Sequence, residues 1–291
     1  WNLLLQITKS HDTWVLTREE DRPSIEQKLQ ESPVPGLNFK FVKLPALLKL
    51  LLKFQGSHQL YYYIWQIKSF LVAHGYHREI RFDLFHHITY ANDWMVSFIG
   101  AFLPIPYMRG PGGGAHRTPK SLESEYTFGG RAWEKVRSCG QWLFRRDPLF
   151  VKGQNRAKAI LVCNLDSMKA MPKKWSNKLH LFPVSGVTSE DLSIASEMRA
   201  GASEFQIVSA GSLLRIKGFG IAIRAFKQFV DRYPSAKLTI VGAGPEENRL
   251  RRLIQQNDLE QKVALIGSLP REQLMKRIAK SDVLLFPSLR D

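Results

Sequence analysis

The sequence predicts an α/β fold built on parallel sheets and divided into two domains. Three observations carry this: a length of 291 residues, short apolar runs alternating with helical spacings over the last ninety or so residues, and glycines at the ends of those runs. With 44% hydrophobic residues the chain can bury a substantial core.

The second half gives the clearest elements. Phe205–Gly211 reads as a short strand closing on Gly, and Ile221, Ala222, Ala225, Phe226, Phe229 and Val230 then recur at helical spacing. The unit repeats as strand Lys237–Val241, the turn Gly242-Ala243-Gly244-Pro245, helix Asn248–Gln256, strand Val263–Ile266, helix Glu272–Lys280 and strand Val283–Phe286. Such alternation calls for right-handed crossovers, with ligands at the carboxyl ends of the strands. The first half is less regular. Asp12–Leu16, Leu37–Val42, Ala159–Cys163 and Leu179–Val184 read as strands, Leu44–Phe54 and Leu60–Ala73 as helices, Phe82–Ile88 as an extended run, and Pro106–Gly114 as a loop. The polar stretch Thr188–Ser203 is the expected boundary, giving domains 1–203 and 204–291.

Composition narrows the function. The formal net charge is +16, with 15 Lys and Arg against 9 Asp and Glu from Glu204 onward and the remaining excess upstream. That balance favours an anionic partner: nucleic acid, an anionic membrane surface or a phosphorylated small molecule. The charge is dispersed and no nucleic-acid-binding motif is present, which sets the first aside. Cys139 and Cys163 have neither metal-type nor disulfide-framework spacing and fit a reducing compartment. No signal peptide or apolar run of membrane-spanning length is visible, so a cytoplasmic protein is expected. Opening on Trp1 inside an apolar run and stopping at Asp291 after a strand-like run, both ends read as cut from something longer. Lys43, Lys49 and Lys53 among the leucines of Lys40–Phe54, followed by Tyr61-Tyr62-Tyr63-Ile64-Trp65, fit either a buried helix with snorkelling lysines or peripheral contact with anionic membrane.

Gly211-Ser212-Leu213-Leu214-Arg215-Ile216-Lys217-Gly218 joins a strand to a helix. The N–H groups of that helix N-terminus and the Lys217 charge suit a diphosphate, although a Gly-containing turn with a Lys is commonly only a turn. No Walker-type spacing is present. In order along the chain, Ala210-Gly211-Ser212-Leu213, Lys217-Gly218-Phe219, Tyr233-Pro234-Ser235-Ala236-Lys237-Leu238, Ile240-Val241-Gly242-Ala243-Gly244-Pro245, Val263–Gly267 and Ser281–Ser288 resemble the donor domain of glycosyltransferase family four, the group 1 retaining enzymes.

The resemblance implies the GT-B fold, two Rossmann-like domains facing a cleft, with the second incomplete here. It implies transfer of a hexose from a nucleoside diphosphate sugar to a saccharide or lipid-linked acceptor with retention, in polysaccharide or glycoconjugate biosynthesis, without metal or cofactor. Lys217 and Gly218 would meet the donor diphosphate, Gly242 and Gly244 would shape the second loop against the nucleotide, and Leu269 would face the base. Ser212 stands where the family usually has an Arg, leaving Arg215 as a substitute. The family's two glutamates after the fourth strand would fall beyond Asp291, and Trp1–Gln6 would correspond to the helix after the family's first strand and glycine-rich loop. Asp83-Leu84-Phe85-His86-His87 and Gly110-Pro111-Gly112-Gly113-Gly114 resemble the acceptor domain of a subgroup. On that likeness His87 is the candidate catalytic residue, and Gly112, Gly113, Gly114 and His116 the candidate acceptor loop; a core histidine and a plain turn are the competing readings. An epimerase of the same fold, a basic nucleic-acid-binding protein and an inactive fragment stay as alternatives.

Overall fold

Parallel pairing runs through all the named strands. The computed structural model describes residues 1–48, 58–88, 92–184, 186, 189–195 and 204–290. They form two compact units, one of Trp1–Gly113 and Gly140–Phe182, the other of Gly114–Cys139 and Pro183–Asp291. The division expected at residue 203 therefore falls inside the second unit.

The first unit begins with α1 (Asn2–Ile7), β1 (Thr13–Arg18), α2 (Arg22–Glu31) and β2 (Leu37–Val42), and β1 and β2 form a two-stranded sheet. Next come α3 (His58–Ile80), β3 (Phe85–His87), α4 (Phe98–Phe102) and β4 (Tyr107–Gly112). Beyond α5 (Phe128–Phe144) lie α6 (Pro148–Arg156), β5 (Ala159–Val162), α7 (Leu165–Ala170) and β6 (Leu179–Leu181), and β3-β4-β5-β6 make a four-stranded sheet. Within α3, Tyr61, Tyr62 and Trp65 pack with Val42, Leu44 and Met95, so these aromatics belong to a core. Most of the helix expected over Leu44–Phe54, including Lys49 and Lys53, lies outside the described residues.

The expected loop Pro106–Gly114 needs correcting, because its Tyr107–Gly112 part is β4, an interior strand of this sheet. Tyr107 and Gly110 to Gly112 are buried. The register against β5 shifts between Arg109 and Gly112, a bulge that carries the Gly-Pro-Gly run through the ladder. Gly110 takes φ 97°, and a Cβ there would collide with the Leu161 carbonyl oxygen.

In the second unit α8 (Ser189–Ala195) is followed by β7 (Gln206–Ala210), α9 (Phe219–Val230), β8 (Lys237–Val241), α10 (Glu247–Gln255), β9 (Val263–Leu265), α11 (Arg271–Ala279) and β10 (Val283–Leu284), with sheet order β10-β7-β8-β9. The strand-helix alternation read from the sequence is thus present in order. The expected linker Thr188–Ser203 opens with α8, whose buried Asp191 pairs with Arg271 at 2.7 Å; residues 196–203 lie outside the described set. Phe219, Ile223, Phe226 and Val230 form one stripe of α9 and pack against Leu238 and Ile240 of β8, as a helix covering a parallel sheet requires. Among the described residues, no helix is long and apolar enough to cross a membrane.

Ile223 is fully buried, so Ile223→Ala leaves a cavity between α9 and the sheet. Urea unfolding is expected to show a loss of about 2–5 kcal/mol; a loss well under 1 kcal/mol would contradict this packing.

Candidate functional site

In the second unit the chain runs from β7 to β8 and β9 on one side and then crosses to β10 on the other, which makes β7/β10 the topological switch point. Arg215–Lys217 form a short 3-10 turn beyond β7, and Gly218, left-handed at φ 68°, caps α9. Among the described residues no side chain caps that helix, leaving its first N–H groups available to an anion. Opposite lies the segment after β10: Leu289 N–H donates to the Ile216 carbonyl at 2.8 Å, and a Cβ on Gly218 would collide with the Pro287 carbonyl oxygen. Lys217 Nζ stands 5.3 Å from the centre of the Phe286 ring. The Ser288 hydroxyl is buried without a hydrogen-bond partner among the described residues.

The loop after β8 fits against the loop after β7. A Cβ on Gly242 would collide with the Gly211 carbonyl oxygen, and one on Gly244 would sit 2.7 Å from the Leu213 oxygen. Gly242 N–H donates at 2.7 Å to Gly267, two residues before the half-buried Leu269. Ser212, Arg215, Lys217, Gly218, Gly242, Gly244 and Leu269 thus all lie on loops at the carboxyl edge of this sheet. Glu246 lies between two guanidinium groups, Arg215 at 3.3 Å and Arg249 at 2.5 Å. Arg215 also donates to the Glu125 carbonyl at 3.2 Å. The Arg249 Nη atoms lie against Gly220 in the first turn of α9, 3.1 and 3.3 Å from where a Cβ would be. Arg215, Arg249, Lys217 and a helix N-terminus gather positive charge at this edge, with Glu246 paired between the two arginines. Sequence reasoning missed Glu246, Arg249, Phe286 and Ser288. For Glu246 and Arg249 the available signal was their position just after the Gly242–Pro245 turn, and for Phe286 and Ser288 their place in the Ser281–Ser288 stretch.

The four candidate acceptor residues divide between units. Gly114 and His116 belong to the second, where Arg137 donates to their carbonyl oxygens at 3.1 and 3.0 Å. Gly112 and Gly113 belong to the first. Gly112 lies so close to the Asn92 carbonyl that a Cβ would come within 3.1 Å of its oxygen, and Gly113 accepts from Asp93 N–H at 2.9 Å.

His87 closes β3 beside Arg109 of β4. Its Nε2 shares a 2.7 Å hydrogen bond with the Tyr62 hydroxyl, and Nδ1 is buried without a partner among the described residues. Burial, followed by the Arg109 charge and His86, pushes its pKa down to about 3, so the imidazole is neutral at neutral pH. His86, not His87, bonds to backbone, at 2.6 Å from the Gly110 oxygen. The buried Arg109 donates to the Met95 and Asn92 carbonyls at 2.6 and 3.4 Å. Tyr62, His87, Asn92, Arg109 and Gly112 all line a cavity of about 10 Å³, the space of roughly one water. Beside it, burial raises the Asp93 carboxyl, against the pull of Arg145 at 2.9 Å. Among the described residues, no three His, Cys, Asp or Glu side chains gather as metal ligands.

The α/β architecture, with its glycine-shaped strand edge where positive charge gathers, is shared with known proteins to which this chain is similar. Residues 195–291 match the family described as glycosyl transferases group 1. The fold is that of the GT-B glycosyltransferases: sucrose-phosphate synthase from Thermosynechococcus elongatus superposes over 98% of this chain and 67% of its own with a TM-score of 0.60, at 15% identity. The chain is similar to the putative colanic acid biosynthesis glycosyltransferase WcaL of Escherichia coli (strain K12), at 35% identity over 32% of this chain and 23% of that protein. It is also similar to the amylovoran biosynthesis glycosyltransferase AmsK of Erwinia amylovora, at 34% identity over 29% and 21%. These matches span about a quarter of each relative's length.

His87 gives a pH signature. The unfolded chain protonates this group near its ordinary value of about 6.5, whereas the folded chain resists until about pH 3. Its contribution to stability is therefore present above about pH 6.5 and is lost as pH falls toward 3. His87→Gln should flatten the loss of stability between pH 6 and 4 by up to about 1.4 kcal/mol per pH unit, measured by urea unfolding. Parallel profiles for the two proteins would show that His87 titrates normally.

Proposed function

We propose that the chain is part of a glycosyltransferase that moves a hexose from a nucleoside diphosphate sugar to a saccharide or lipid-linked acceptor with retention of configuration. Residues 204–291 hold the donor and residues 1–203 serve the acceptor. The observation that carries this is the switch-point edge, where the uncapped N-terminus of α9, Lys217 and the Arg215–Glu246–Arg249 cluster converge beside Gly218. The family match over residues 195–291 covers the same loops.

The diphosphate lies across the first turn of α9. Gly218 lets its backbone come close, and Lys217 neutralises negative charge as it builds on the departing diphosphate, an electrostatic contribution that requires no metal. Gly242 and Gly244 shape the wall along the nucleotide, and Leu269 meets the base. Ser212 adds a hydroxyl to the mouth of the loop and Arg215 steadies Glu246. On the acceptor side, neutral His87 offers a hydrogen bond to a sugar hydroxyl, and Gly112, Gly113, Gly114 and His116 border the acceptor.

Calorimetric titration with UDP and with GDP tests the donor site. Lys217→Ala and Arg249→Ala are each expected to weaken binding of the preferred nucleotide by about 10- to 100-fold, the loss of one charge-assisted contact. Unchanged affinity in both variants would remove the site. For the transfer itself, proton NMR of the product made by the full-length enzyme should show the donor's anomeric configuration retained, and an inverted product would overturn the mechanism.

A further inference from the structure

Residues Gly114–Cys139 pack with the second unit, although the chain on either side of them belongs to the first. They include the 3-10 turn Lys120–Glu125 and most of α5. Glu125, the last residue of that turn, holds two guanidinium groups of the proposed donor edge at once. Its carboxylate accepts from Arg224 Nη2 at 2.6 Å, and its carbonyl oxygen accepts from Arg215 Nη1 at 3.2 Å. Arg224 stands in the second turn of α9. Its Nη1 lies 3.6 Å from where a Cβ on Gly220 would be, the same place that both Nη atoms of Arg249 approach. Cations repel one another at such range unless an anion offsets them. Here Glu125 and Glu246 supply the offsetting charge.

The segment is held unevenly along its length. At its base Glu134 pairs with Arg290 and with Arg137, each at 2.9 Å, and none of the three side chains is more than 20% exposed. The buried Tyr126 shares a 2.9 Å hydrogen bond with Thr118, which folds the segment on itself. At the tip, by contrast, the Glu125 and Arg224 side chains are 26% and 44% exposed. An exposed ion pair contributes little and is screened by salt, whereas an enclosed one is costly to break. The tip therefore lets go before the base does.

We propose that Glu125 is an internal anion latch on the donor edge, a carboxylate and a carbonyl that occupy Arg224 and Arg215 until a diphosphate displaces them. The proposal rests on the reading of residues 204–291 as the donor half. A diphosphate at the first turn of α9 competes with Glu125 for both guanidinium groups. As it takes them, the Lys120–Glu125 turn is released while Glu134 stays anchored to Arg290. The latch thus lowers donor affinity by the free energy of the contacts it gives up.

Calorimetric titration of UDP and GDP into the chain and its variants is the test, joined to hydrogen exchange read by mass spectrometry. Glu125→Gln is expected to tighten binding of the preferred nucleotide by about two- to fivefold, the worth of an exposed ion pair. Glu123→Gln removes the same charge from an exposed position in the same turn and is expected to change nothing. In an Arg224→Gln background the gain from Glu125→Gln should shrink, since the pair is already broken. Saturating nucleotide should speed exchange of the amides of residues 121–126 in the unsubstituted protein and leave those around Glu134 protected. Where the unsubstituted protein binds nucleotide, unchanged or weaker binding by Glu125→Gln would sink the latch and leave the donor site standing. An equal gain from Glu123→Gln would do the same, by assigning the effect to general charge repulsion. Absence of nucleotide binding in every variant would remove the donor reading and the latch together.

Discussion

The backbones of three successive loops touch beyond the carboxyl ends of β7, β8 and β9, and the organisation of the second unit depends on that contact. Hydrogen bonding does not stop where the strands do. Leu213 N–H reaches Ala243, Gly242 N–H reaches Gly267, and Glu246 N–H returns to Leu213, at 2.9, 2.7 and 3.0 Å. Such proximity leaves no room for a Cβ at Gly242 or Gly244, so these glycines follow from chain-to-chain packing before any ligand is considered. The charged side chains then stand on a rigid base. Preorganisation of this kind keeps a binding surface from spending its interactions on ordering itself.

The first unit solves a related problem with side chains. Its interior strand β4 carries a Gly-Pro bulge that interrupts the ladder, and the buried Arg109 beside it donates to carbonyls of the 92–95 turn. Asp93 from the same turn is buried and paired with Arg145. Buried charges are tolerated only when such partners are in place. Burial fixes the state of His87, and Arg109 one strand away adds to it, since a cation there opposes a second positive charge. The neutral imidazole is thus a product of burial first and of the sheet register second.

The second unit is largely legible in the sequence. Its inner strands β7 and β8 are largely buried and read as mostly apolar runs, and Lys237–Val241 matches β8 residue for residue. Leu60–Ala73 reads as helical but falls short of α3, whose later turns carry polar residues such as His77 and Arg78. β4 escapes a sequence reading because Gly-Pro-Gly is turn chemistry everywhere except at a bulge. α5 does carry apolar residues at helical spacing, Trp133, Val136 and Leu143 among them, yet these are exposed, so the stripe marks no core. Tyr62 and His87, 25 residues apart, meet only through tertiary structure, and Arg249 becomes notable only because α10 brings it to Gly220.

That last contact changes how the charged residues of the proposed donor edge are ranked. By sequence position Arg215 is the natural substitute for the arginine absent at Ser212, being three residues away in the same loop. In the folded chain its guanidinium spans Glu246 and the Glu125 carbonyl, so engaging a diphosphate means giving up bonds it already has. Arg249 uses Nε for Glu246 and places both Nη atoms beside the first turn of α9, where an anion at the helix N-terminus would lie. Glu246 therefore orients one guanidinium toward the helix and holds the other in the loop. A sequence motif records residues near the first glycine, whereas the electrostatic requirement is met from whichever element passes within reach, and here that element is α10.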